Sequence, residues 1–142
     1  MKRLMLVAVA ATVFRLTAVW AAPLDGTSWK IKVTPDKEAA ENGEKEFDDE
    51  LIFAEGMVTA TACVSHGFKP SVYLVTENDE VMKWQTIQHS EVEGVANWTG
   101  QIKDGKLTGK LAWAKRDGTR TTYTFAGEQQ PAKTPKPDDR PR

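Results

Sequence analysis

The chain has 142 residues, with 19 basic and 20 acidic side chains and a formal charge of −1 at neutral pH. So balanced a mixture excludes nucleic-acid binding, which needs lysine and arginine concentrated against phosphates. One cysteine, Cys63, excludes an intramolecular disulfide, and the length fits a single domain of ordinary size.

Residues 1–21 have the layout of a secretory signal peptide. Lys2 and Arg3 give a positive start and residues 4–14 an apolar run, and Val19 and Ala21 are small enough for cleavage before Ala22. Arg15 interrupts the apolar segment, which is too short to span a bilayer. The expectation is a secreted or periplasmic protein with no stable membrane span after cleavage. Removing Lys2, Arg3 and Arg15 would leave 16 basic against 20 acidic residues, a formal charge of −4. At the other end, residues 129–142 read QQPAKTPKPDDRPR, with four prolines and no large apolar side chain. They cannot bury enough surface to offset the cost of ordering and read as a disordered Pro-rich tail. Residues 22–128 are left as the folded domain.

Within it, short apolar-periodic runs alternate with turn signals. Trp29, Ile31 and Val33 alternate with Lys30 and Lys32 as a first strand ended by Pro35. The following PDKEAAENG reads as a loop with one turn of helix closed by Gly43. A hairpin then joins 48–53 to 57–64 through Glu55-Gly56. A two-residue loop sets Phe53 opposite Val58 and Leu51 opposite Ala60. A three-residue loop would turn Met57, Thr59 and Cys63 to that face, since one step reverses every side chain. The first pairs apolar with apolar and is preferred.

Further strands are read at 71–76, 81–89, 95–102, 106–114 and 119–127. Asn78-Asp79, Asp104-Gly105 and Asp117-Gly118 supply turn residues that tolerate positive φ. A two-residue Asp104-Gly105 loop pairs Ile102 with Leu107, Gly100 with Gly109, Trp98 with Leu111 and Ala96 with Trp113. A three-residue Arg116-Asp117-Gly118 loop then pairs Trp113 with Thr121, Leu111 with Tyr123 and Gly109 with Phe125. Facing glycines let strands coil, and a neighbouring aromatic covers the bared backbone. Eight such strands predict an all-β fold, a single eight-stranded antiparallel up-and-down β-barrel, which also removes the edges that invite aggregation.

Chemistry is sparse. The Ser65-His66 and His89-Ser90 neighbours would point to opposite faces of a strand and could not share a catalytic hydrogen bond. The same parity separates Cys63 from His66 if both lie in regular strand, and Cys63 reads as a small buried apolar residue. Eight acidic residues lie between Asp36 and Glu50, but in no calcium-loop spacing, so a solvated acidic face is expected. Paired cysteine or histidine spacing of the zinc kind is missing, as is a glycine-rich phosphate loop. No catalytic residue, metal or cofactor is therefore expected, and the chain is read as non-enzymatic. Asn97-Trp98-Thr99 fits a glycosylation acceptor, though it falls within a strand and matters only in a eukaryotic secretory pathway.

The aromatics carry the functional reading. Trp98, Trp113 and Tyr123 fall on the inward phase, and Trp29 lies on the apolar face of the first strand. With Trp84 they either fill the core or line a cavity for a small apolar or aromatic molecule. The opening LDGTSWKIKV, followed by hairpin-linked strands, resembles the calycin-like barrels, among them small bacterial lipocalin-like domains. That resemblance implies an antiparallel barrel with a ligand pocket at one end. The favoured partner is thus a small apolar ligand, with Trp29, Trp84, Trp98, Trp113 and Tyr123 as candidate binding residues. The alternative is a solid-core interaction module or protease inhibitor whose partner is a cell-envelope protein.

Overall fold

The computed structural model describes residues 23–78 and 80–132, so the expected signal segment and all but the first four residues of the expected tail lie outside the described residues. Eight strands run in chain order: β1 (Thr27–Pro35), β2 (Phe47–Ala54), β3 (Met57–Ala60), β4 (Ser71–Asn78), β5 (Val81–Ser90), β6 (Gly94–Lys103), β7 (Lys106–Ala114) and β8 (Arg120–Gln129). Each pairs antiparallel with its neighbour, and β8 returns to β1, closing an up-and-down barrel. This all-β architecture is the one the strand and turn pattern predicts. It is compatible with the calycin-like fold.

The hairpin registers agree with the loop arithmetic. Glu55 and Gly56 both take positive φ, as do Asp104 and Gly105, the backbone that tight hairpin turns require. Phe53 therefore faces Val58 and Leu51 faces Ala60, while Gly100 faces Gly109 and Trp98 faces Leu111. Across the next seam Gly109 meets Phe125 and Leu111 meets Tyr123. A Cβ on Gly109 would run into the Thr99 carbonyl oxygen and the Phe125 ring, so the ring replaces the missing side chain. Gly100 has its own cover. It pairs with Trp84 of β5, and a Cβ there would lie 2.5 Å from the Trp84 indole nitrogen.

Two features differ from the strand reading. β3 ends at Ala60, and residues 61–64 form a single helical turn, α2 (Thr61–Val64), instead of continuing the strand. Threonine, cysteine and valine favour strand locally, but Asp49 reaches across from β2 and accepts the Ala62 N–H at 2.7 Å, capping the turn from outside it. At the C-terminal side β8 continues to Gln129, and the Gln130 N–H bonds the Ser28 carbonyl at 2.8 Å. The strand thus ends two residues beyond the expected 127. The expected helical turn after Pro35 is α1 (Lys37–Glu41), capped by Asp36 through Ala39 N–H and followed by Gly43 at positive φ.

The strand directions divide the loops between two ends. Chain entry, chain exit and the turns after β2, β4 and β6 lie at one end. Both helices and the turns after β5 and β7 lie at the other. The middle of the barrel is filled. Trp84 packs edge-to-face on Phe53 at 5.2 Å between ring centroids, and Trp98 lies 5.4 Å from Phe125. Trp29, Ile31, Val33, Leu51 and Leu107 complete this buried cluster.

Candidate functional site

A cavity of about 430 Å³ opens at the helical end. Its floor is the rim of the core, Ala96 of β6 and Leu111 of β7. Strand alternation brings Trp113 to the wall from β7, Tyr123 from β8 and Phe47 from β2, while Phe68 approaches from the segment after α2. The rings meet as two edge-to-face pairs, Phe47 with Tyr123 at 5.9 Å and Phe68 with Trp113 at 6.3 Å. This is the geometry aromatic quadrupoles favour.

The charged lining residues Glu44, Lys45 and Asp48 lie at the more exposed rim. Tyr123 donates its hydroxyl hydrogen to Glu44 Oε2 at 2.8 Å, and Lys115 Nζ donates to Glu44 Oε1. The same ammonium sits 4.6 Å from the Trp113 ring centroid, a cation–π contact. Glu44 is held below the usual carboxylate range, first by the Lys115 hydrogen bond and then by that of Tyr123. Burial and the adjacent carboxylate raise the Tyr123 phenol, so it remains a donor at any physiological pH. Trp113 is fixed from behind by donating its indole N–H to the Glu93 carbonyl at 2.7 Å.

α2 forms the opposite wall through Ala62 and Cys63. Cys63 is half-buried, packed against the core edge, and its thiol lies 3.6 Å from Asp49 Oδ2. Burial, then the charge of Asp49, pushes the thiol up to about 12. Asp49 is itself raised by burial, against the opposing effect of the hydrogen bonds it accepts from Ala62, Glu50 and Cys63. The strand parity argument does not apply here, because residues 61–64 are helical. Cys63 and His66 consequently line the same cavity.

Of the five candidate aromatics, Trp113 and Tyr123 line this cavity. Trp29, Trp84 and Trp98 are buried in the filled middle of the barrel. Trp98 donates to Gln88 and Trp29 to Thr27, while the Trp84 nitrogen is buried without a hydrogen-bond partner. Phe47, Phe68 and Glu44 were missed as site residues. Phe47 shares the inward phase of Leu51 and Phe53 and was legible on that ground; Phe68 and Glu44 follow irregular segments and carry no period. Broader depressions of about 640 and 790 Å³ lie on the outer wall and are lined largely by lysine, threonine and carboxylate side chains. They are curved, open sheet surface, whereas the end cavity is more enclosed and aromatic. Among the described residues no group of three or more His, Cys, Asp or Glu side chains could hold a metal ion, and no helix is long and apolar enough to cross a membrane.

No protein-family model, curated protein or solved structure gives a match to this chain.

Proposed function

We propose that the protein is an exported, non-enzymatic, lipocalin-like barrel that holds a small apolar or aromatic molecule in the cavity at its helical end. The observation that carries this reading is the cavity itself: four aromatic rings around an apolar floor, with the charged side chains at the more exposed rim. Its volume of about 430 Å³ falls within the range of small-molecule pockets. The filled middle limits the depth, so the ligand is of the size of one or two rings and lies across the mouth. A thiol held protonated beside Asp49 is a poor nucleophile, which supports binding over thiol chemistry.

Binding is tested with 1-anilinonaphthalene-8-sulfonate as an apolar aromatic probe. One saturable site is expected, weakened by Trp113→Ala and abolished by Leu111→Trp, which fills the floor. Uptake of the probe unchanged by both substitutions would refute the site. Export is tested separately by sequencing the N-terminus of protein recovered from its cell envelope, with Ala22 expected as the first residue.

The packed barrel middle also favours a second reading, an envelope interaction module that works through its loops. A Leu111→Trp variant that loses probe binding but keeps the cellular phenotype would decide for it.

A further inference from the structure

The barrel has one thin seam. β3 pairs with β4 only through Met57 with Val72 and Val58 with Ser71. The cause is a mismatch of hairpin length: β2 and β3 turn back at Glu55-Gly56, while β4 continues to Asn78. The last link across the seam is the Tyr73 N–H to the Gly56 carbonyl at 3.3 Å. Beyond it, β4 pairs on its other side with β5 as far as Asn78 with Val81. On the β3 side, residues 74–78 have no strand partner among the described residues.

Strand geometry fixes which groups this edge presents. Tyr73 bonds toward β3, so Val75 and Glu77 point their N–H and C=O the same way, two and four residues further on. Natural edges are blunted with lysine, proline or a bulge. The run YLVTEN, residues 73–78, has neither of those residues and a single charge, Glu77. Its outward positions are Leu74, Thr76 and Asn78, all exposed; Leu74, at 61%, carries on the apolar patch of the paired Val72 and the exposed Ile87 of β5.

We propose that this edge is a dimerisation surface, pairing antiparallel with the same edge of a second copy about a two-fold axis through Thr76. In that register Val75 meets Glu77 of the second copy, and each such pair exchanges both its hydrogen bonds. Only unpaired groups are used, and the Tyr73–Gly56 link stays intact. Glu77 faces valine and not its own counterpart, so no like charges oppose each other. On the outer face Leu74 lies opposite Asn78 of the second copy, and the two Thr76 side chains meet on the axis. A second copy is the fitting occupant because the edge is self-complementary in this register: as the one open edge among the described strands, under two-fold symmetry it stops at the dimer and cannot propagate into a fibre.

Sedimentation velocity on the full chain across a concentration series tests the idea, with Thr76→Lys placing two ammonium groups on the axis. A monomer–dimer equilibrium is expected, weakened about tenfold or more by the lysine. Thr76 is exposed, so the barrel itself tolerates the change. As an independent readout, Thr76→Cys in a Cys63→Ser background should form an intermolecular disulfide on mild oxidation. Residues facing each other across such an axis have Cα atoms about 4.5 Å apart, within disulfide reach. Ile52→Cys, outside the edge, should not cross-link. A chain monomeric at its highest attainable concentration would overturn the proposal. So would a dimer that ignores Thr76→Lys and fails to cross-link through residue 76, or an edge that takes an unrelated extended peptide while the chain stays monomeric.

Discussion

Trp98 donates its indole N–H to Gln88 Oε1 at 3.1 Å in a part of the core that solvent does not reach. The other end of the same amide donates to the Val58 carbonyl of β3, also at 3.1 Å. One side chain thus ties β5 and β6 to the strand that borders the thin seam, from inside the barrel. Gln88→Leu should leave a buried indole N–H unpaired and remove one donor from the Val58 carbonyl, at about 1–3 kcal/mol. Urea denaturation measures this, and a loss below about 1 kcal/mol would mean that the amide does not staple the seam.

The glycine pair gives a second prediction. Gly109→Ala must displace either the Thr99 carbonyl or the Phe125 ring. Overpacking of that kind costs about 1–3 kcal/mol, whereas Thr108→Ala, at an exposed neighbouring position, should stay within about 0.5 kcal/mol. Equal effects in thermal or chemical denaturation would remove the case for a bending device.

A third prediction concerns the wall formed by α2. Asp49→Ala removes the acceptor of the Ala62 N–H and the carboxylate facing Cys63. Amide exchange at Ala62 should quicken, and maleimide should label Cys63 faster at mildly alkaline pH. Asp49→Asn keeps an oxygen for Ala62, so it should restore the slow exchange while still easing thiol ionisation. An Asp49→Ala variant that labels at the parental rate would show that burial alone protects the thiol.

Glu44 at the mouth and Asp49 behind the α2 wall should respond to pH with opposite signs. Glu44 is held below its ordinary value of 4.5, so the stability it contributes is present above that value and is lost as pH falls through the depressed one. Asp49 is raised, so its contribution is present under acid conditions and is lost as pH rises through the raised value. The gap in urea midpoint between the parent and Glu44→Gln should therefore be widest near neutrality and close in acid. For Asp49→Asn the parent's relative advantage should grow toward acid. A gap independent of pH in either series would contradict the assigned partners.

How much of this was legible beforehand follows the range of the interactions. Pairings across short loops, such as Phe53 with Val58 or Gly109 with Phe125, depend on turn residues a few positions away and could be counted out. The end of β3 could not, because the carboxylate that turns residues 61–64 into a helix belongs to Asp49, on another strand. Trp84 over Gly100 was equally hidden: the loop between β5 and β6 offers no unambiguous length from which to count. At the cavity, Trp113 and Tyr123 declared themselves through inward phase. The loop residues Glu44 and Phe68 arrive only once the barrel has closed and set its end.

Closure has one more consequence. The pairing of Trp29 with Gln129 sets the beginning and the end of the barrel side by side, at the end opposite the cavity. In space the strands form a ring with no first member, and the break in the chain is an accident of where synthesis starts. A short linker from Gln130 to Thr27, with new ends opened at Asp104-Gly105, would leave every strand pair in place. Cargo fused directly at Thr27 or Gln130 would leave the barrel at the end away from the mouth.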